Sequence, residues 1–118
     1  MKQIIRQKLI ELAKAMKTIA YSDLAAQLEI SYDNIDERNQ FHALLGEVSE
    51  DEIKAGRPML SVLVHHKNDV LRRPGKGFFD LASLQGQILP GEKDLDFQFR
   101  MMNKCFDYWS KNGRWYYR

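Results

Sequence analysis

One stretch of the chain, residues 56–82, limits the folds open to it more than any other. It reads GRPMLSVLVHHKNDVLRRPGKGFFDLA, so an apolar run, a basic turn and an aromatic run follow one another. The apolar run covers residues 59–64 and the aromatic run covers residues 78–81. Pro74 fixes one backbone angle and the glycines after it permit positive φ, which is typical of a turn. Two strand-like runs around such a loop predict a long β-hairpin.

The residues before this hairpin are patterned as helices. Over residues 2–16 apolar side chains recur every three or four positions, which predicts an amphipathic helix. A short segment at residues 18–21 favours a strand and leads into a second, short helix over residues 23–28. A third helix is predicted between the polar connection at residues 31–34 and Gly56, which can adopt the positive φ that commonly ends a helix.

A final helix is predicted from about residue 93 to about residue 112. Asp94 is a suitable N-cap for it. Its buried stripe is predicted to consist of Leu95, Phe99, Met102, Phe106 and Trp109. The sequence shows neither a repeat nor a linker, so residues 1–118 are predicted to form one domain with this helix as a C-terminal extension. The predicted fold class is α+β and mainly helical.

This order of elements resembles the winged helix-turn-helix superfamily. The segments that carry the resemblance are residues 19–25, 41–48 and 57–82. The resemblance implies a winged-helix domain, in which three helices are followed by a two- to three-stranded β-hairpin, the wing. It also implies binding of duplex DNA or, as in winged-helix adaptors, of another protein.

Residues 19–28 also resemble the segment that opens the helix-turn-helix of alkyltransferase-like proteins. That family carries a Pro-Cys-His-Arg-type motif at its reactive site. The comparable residues here, 61–66, read SVLVHH and contain no cysteine. Alkyl transfer is therefore not predicted for this chain.

Composition and spacing argue against several classes of function. Cys105 is the single cysteine, so no internal disulfide can form, and its helical apolar neighbours predict core packing. No apolar run approaches the roughly 20 residues that cross a bilayer, and charges interrupt the N-terminal segment where a signal peptide would be apolar. A cytoplasmic protein is the expectation. His65 and His66 would point to opposite faces of a strand, so no shared metal is expected. We expect neither an enzyme nor a cofactor.

The charges are unevenly distributed along the chain. Residues 32–56 carry two basic and seven acidic residues, whereas residues 57–82 carry five basic and two acidic residues. The lead hypothesis is a non-enzymatic protein that binds double-stranded nucleic acid, in a regulatory or accessory role. In the third helix, the residues predicted to approach bases are Arg38, Asn39 and His42. In the wing, the residues predicted to neutralise phosphates are Lys67, Arg72, Arg73 and Lys76.

The acidic third helix supports a second hypothesis, because like charges repel and salt screens them only in part. In this hypothesis the chain is a protein–protein interaction module: a subunit, adaptor or inhibitor of a nucleic-acid-processing or defence complex. Aromatic residues at the C-terminus would stack on bases, fold back onto the core or bury in an interface, including one with a second copy of the chain. The predicted partner contacts are Glu47, Glu50, Asp51, Trp115, Tyr116 and Tyr117.

Overall fold

A computed structural model describes residues 1–110 of the chain, and the predicted contacts Trp115, Tyr116 and Tyr117 lie outside the described residues. Residues 1–110 form five α-helices, one 3-10 helix and two short strands. In chain order the elements are α1 (Lys2–Lys14), β1 (Ile19–Ala20), α2 (Tyr21–Gln27), α3 (Ile35–Lys54), the 3-10 helix (Leu60–Leu63), β2 (Val64–His65), α4 (Lys76–Leu84) and α5 (Asp94–Trp109). The prediction of a mainly helical chain is confirmed.

The two strands are parallel neighbours, with Ile19 opposite Val64 and Ala20 opposite His65. A hairpin joins antiparallel strands, whereas parallel strands need a longer crossover, here supplied by α2 and α3. The structure of residues 1–110 therefore does not show the predicted antiparallel wing. The prediction that residues 78–81 form its second strand is wrong, because these residues lie within α4.

The aromatic run is helical because its apolar residues also fit a helix. Phe78 and Ala82, four positions apart, are both buried, and Leu81 between them is half-buried. The Phe78 amide donates to the carbonyl oxygen of Gly75 at 3.1 Å in the first turn of α4. A short apolar run fits a strand and a buried helix equally well, so its helical structure is decided by packing.

The apolar run at residues 59–64 is predicted to be a strand, but it lies in the core and only its last residue is a strand residue. Its first four apolar positions wind into the 3-10 helix and its entry, and all are buried. Ser61 within it is bonded to α3: its hydroxyl lies 2.6 Å from the Ser49 hydroxyl, and its amide donates to Ser49 Oγ at 3.0 Å. These bonds satisfy two buried hydroxyls and fix the 3-10 helix against α3.

A buried carboxylate joins three helices. Glu52 of α3 is fully buried, and its carboxylate is paired with Arg6 of α1 and with Arg57, just after α3. Arg6 Nε lies 2.5 Å from one carboxylate oxygen, and Arg57 Nη2 lies 3.3 Å from the same oxygen. The Arg6 guanidinium also lies 5.7 Å from the ring centroid of Trp109, at the end of α5. Through Arg6, which contacts both Glu52 and Trp109, this ion cluster links α1, α3 and α5.

The buried stripe of helix α5 matches the predicted one only in part: Met102 is buried, and Phe106 and Trp109 pack against the core. Its fully or nearly buried residues are Phe97, Gln98, Met101, Met102 and Cys105, whereas Phe99 is 42% exposed. The core position of Cys105 is confirmed: its Sγ–H donates to the carbonyl oxygen of Met59 at 3.3 Å. Burial, and then the negative charge of Glu52, raise the pKa of the Cys105 thiol, so it stays protonated near neutral pH.

The sequence predicts no membrane-spanning segment, and the length and polarity of the helices bear on this prediction. None of the helices in residues 1–110 is at once long enough and apolar enough to cross a bilayer.

Candidate nucleic-acid interface

Residues 66–75 form the connection between β2 and α4, which we call the basic loop. It contains Lys67, Arg72 and Arg73, and Lys76 follows it as the first residue of α4. All four predicted phosphate contacts are exposed. The structure therefore brings these residues into one segment, although that segment is a loop leading into a helix and not the tip of a hairpin.

Most of these cations have a carboxylate neighbour. The nitrogen–oxygen distance is 2.9 Å in three pairs: Lys67 with Asp23, Arg73 with Asp69, and Lys76 with Asp80. Arg72 instead donates to the Thr18 hydroxyl at 3.4 Å. Exposed ion pairs contribute little to stability, because water and salt screen both partners. Lys67 and Lys76, whose pairs are exposed on both sides, can therefore exchange a carboxylate for a phosphate at small cost.

A shallow groove of about 640 Å³ lies between the basic loop and the turn that joins α1 to β1. Its cationic lining residues are Lys17 from that turn and Lys67 and Arg72 from the basic loop. Among the described residues that line it, Asp23 is the single carboxylate. We call it the basic groove, and its polar lining is completed by Thr18, His65 and Asn68.

Sequence reasoning missed Lys17. It lies in the short turn between α1 and β1, far along the chain from the other cations of the groove. Parallel pairing by itself places the turn before β1 beside the residues before β2. The basic loop reaches the turn by folding back: His65 Nε2 lies 3.1 Å from the Thr18 hydroxyl, and Arg72 donates to the same hydroxyl at 3.4 Å. These contacts join residues 47 and 54 positions apart, so the sequence carries no local signal for them.

The predicted base-reading residues lie on α3, where two of them contact Tyr32. His42 Nε2 lies 2.8 Å from the Tyr32 hydroxyl, and the Arg38 guanidinium lies 5.8 Å from the Tyr32 ring centroid. Asn39 is exposed. Base readout by Arg38 and His42 would therefore require both side chains to leave Tyr32.

A cluster of rings connects α3 to the basic loop. The Tyr21 ring centroid lies 4.7 Å from that of His42 and 5.4 Å from that of His66. The Tyr21 hydroxyl accepts a hydrogen bond from the Gly75 amide at 2.8 Å. Since Gly75 is the N-cap of α4, this bond fixes the end of the basic loop.

The surroundings of Tyr21 and His42 shift the pKa of each side chain toward its uncharged form. Burial raises the pKa of Tyr21 to about 12, and the hydrogen bond from Gly75 opposes this only in part. Burial also lowers the pKa of His42, and the positive charges of His66 and Arg38 act in the same direction. Tyr21 and His42 are therefore neutral near pH 7 and hold the loop by packing and hydrogen bonding.

The predicted acidic contacts are separated by the structure. Glu47 and Glu50 line a cleft of about 440 Å³ between α3 and α4, which we call the acidic cleft. Asp51 is paired with Lys2 at 2.9 Å instead. Within residues 1–110, neither Glu47 nor Glu50 has a cation within ion-pair distance. Much of the remaining lining is apolar or small, including Phe78, Leu81, Leu45, Ala43, Gly46 and Gly77.

No group of three or more metal-binding side chains is arranged around a common point within residues 1–110. Comparison of the chain with protein-family models, with curated proteins and with solved structures finds no match. The candidate sites within residues 1–110 are the basic groove, the basic loop and the acidic cleft.

Proposed function

We propose that this chain binds duplex nucleic acid by holding its phosphates in the basic groove. The observation that carries the proposal is the convergence of Lys17, Lys67 and Arg72 from two distant segments on one concave surface. Lysine and arginine contacts to phosphate supply most of the sequence-independent affinity for a duplex. Hydroxyl and amide side chains such as those of Thr18 and Asn68 add the hydrogen bonds that orient a protein on the backbone.

The contacts of Arg38 and His42 define the kind of binding proposed. Both contact Tyr32, so the proposed contacts go to the phosphate backbone rather than to base edges. Phosphate contacts position a protein but carry little sequence information. The proposed role is therefore that of a non-enzymatic accessory or regulatory protein with weak sequence preference.

The test is a fluorescence anisotropy titration of a labelled, mixed-sequence duplex at several salt concentrations. We expect the logarithm of the binding constant to fall linearly with the logarithm of salt concentration. Changing Lys17, Lys67 and Arg72 together to alanine is expected to reduce the magnitude of this slope by about 0.9 for each phosphate that is no longer neutralised. Asp23→Asn is expected to tighten binding, because it removes the carboxylate of the groove and releases Lys67.

The matched control removes the same charge elsewhere. Lys54, Lys93 and Lys104 are exposed and do not line the basic groove. Changing these three to alanine is expected to alter the slope much less. Absence of duplex binding by the unmodified protein at low salt would refute the proposal, and so would an equal change of slope in the two triple variants.

The acidic cleft favours a second function, and we propose that it receives a basic segment of a protein partner. An arginine or lysine has a long apolar stem and a charged end. The cleft offers apolar side chains to the stem, and Glu47 and Glu50 can pair with the charged end. An adaptor of this kind would connect a bound duplex to another protein.

Isothermal titration with the blocked peptide Leu-Arg-Leu-Arg-Leu tests this second function. Binding is expected to weaken when Glu47 and Glu50 are changed together to glutamine, and when citrulline replaces arginine in the peptide, because both changes remove charge and keep shape. Asp51→Asn is expected to leave the affinity unchanged, since Asp51 is paired with Lys2. Equal affinity for the arginine and citrulline peptides would contradict the proposal.

A further inference from the structure

The tip of the basic loop presents an apolar side chain to solvent. Val70 is 94% exposed, the largest exposed fraction among the large hydrophobic side chains of residues 1–110, and Leu71 beside it is 40% exposed. Cations flank this pair: Lys67 precedes it, and Arg72 and Arg73 follow it. Single exposed apolar side chains are common on protein surfaces, so what distinguishes Val70 is its position between cations and the way in which its loop is held.

The tip is a closed four-residue turn. The Arg72 amide donates to the carbonyl oxygen of Asp69 at 3.0 Å, which makes Val70 and Leu71 the two central residues. The Asp69 carboxylate accepts from the Leu71 amide at 2.9 Å and from Arg73 Nε at 2.9 Å. The turn therefore holds its own shape and positions Arg73 beside the apolar pair.

A buried side chain of another element also holds the tip. Gln98 of α5 is fully buried, and its Nε2 donates to the carbonyl oxygens of Leu71 at 2.7 Å and Arg72 at 3.0 Å. Asn68 and Arg72, on either side of the turn, have φ values of 65° and 53°. Asparagine tolerates this left-handed conformation, but for an arginine it is unfavourable and persists where surrounding contacts impose it. The loop is thus built to present Val70 rigidly.

We infer that Val70 is a wedge that inserts between adjacent base pairs from the minor groove while the flanking cations hold the phosphates. Proteins that bend DNA use apolar side chains in this way, separating a base step and kinking the duplex. The separation consumes binding free energy, so a wedge has to be held rigidly, as the Gln98 bonds hold this one. The inference rests on the proposed function and adds how the duplex would be deformed.

The experiment uses a duplex with 2-aminopurine at a central thymine–adenine step, because pyrimidine–purine steps separate most easily. Its fluorescence rises when the base loses its stacked neighbours. At saturating protein we expect a several-fold rise. Val70→Ser is expected to abolish most of that rise, and the larger apolar Val70→Leu to keep it. Neither change alters charge, so the salt dependence of binding is expected to stay the same.

The control is Leu84→Ser at the end of α4, where an 82% exposed leucine lies away from the loop. It is expected to leave the fluorescence rise intact. Binding without any rise would overturn the wedge and leave duplex binding in place, whereas absence of binding would overturn both. Partition onto phosphatidylserine vesicles that Val70→Ser abolishes, without unstacking of the duplex, would overturn the wedge in favour of a lipid surface.

Discussion

Changing Arg6 and Arg57 together to methionine is expected to lower the free energy of unfolding by about 3–5 kcal/mol at neutral pH. The reason is the position of their shared partner, since Glu52 is fully buried between them. Without the two guanidinium groups its carboxylate remains in the core with no compensating charge. Urea denaturation followed by circular dichroism measures the decrease, which is a large share of the roughly 5–15 kcal/mol typical of a folded domain.

Two further variants separate this explanation from a simple loss of packing. Adding Glu52→Met to the double variant is expected to recover much of the stability, because an apolar replacement of a whole buried ion cluster is often neutral or stabilising. Lys2→Met breaks the exposed pair with Asp51 and is expected to have a far smaller effect. A double variant as stable as Lys2→Met would show that Glu52 does not depend on its partners.

The same residues change how the charge pattern of the sequence is understood. Residues 32–56 contain seven acidic residues, a composition that argues against approach of the third helix to phosphate. The structure removes Glu52 from that surface by burial, and it pairs Asp51 with Lys2. The other acidic side chains of α3 lie in its first turn, which holds Asp36 and Glu37, and in the acidic cleft. The segment is therefore less acidic on its surface than its composition indicates.

The helices could be predicted from the sequence because their apolar periodicity extends over several turns. Helix α3 ends where Gly56 adopts a φ of 74°, as expected of a helix-terminating glycine. The structure of residues 1–110 does not show the hairpin that the sequence predicts. Residues 59–64 and 78–81 are each shorter than two helical turns, so a pattern of apolar side chains does not distinguish strand from helix there. Contacts with distant elements determine the secondary structure of both segments.

Part of the candidate site was also readable from the sequence. Lys67 and Arg72 are close in the chain and flank turn residues, so their clustering in a loop follows from local pattern. The role of Gln98 had no such signal, because a glutamine in an amphipathic helix is usually placed on the polar face. Its burial depends on two carbonyl groups of the basic loop that lie 26 and 27 residues earlier.

The packing of α5 yields a second large effect. Phe97→Ala is expected to lower the free energy of unfolding by about 3–5 kcal/mol, because truncating a buried phenylalanine removes apolar burial and leaves a cavity. Phe97 is fully buried, and its ring centroid lies 5.8 Å from that of Phe78 and 6.5 Å from that of Phe79. Phe97 therefore packs α5 against α4, and urea denaturation measures its contribution.

Phe99→Ala is the matched control, since it makes the same chemical change two residues along the same helix. Phe99 is 42% exposed, so a cost below about 1 kcal/mol is expected, as for most surface substitutions. The apolar spacing of the sequence predicts the opposite order, because it places Phe99 in the buried stripe. A larger destabilisation by Phe99→Ala than by Phe97→Ala would mean that the spacing is right and that α5 is rotated about its axis. The observed burial of Phe97 together with Gln98 requires the reverse, since that rotation would also withdraw Gln98 from the basic loop.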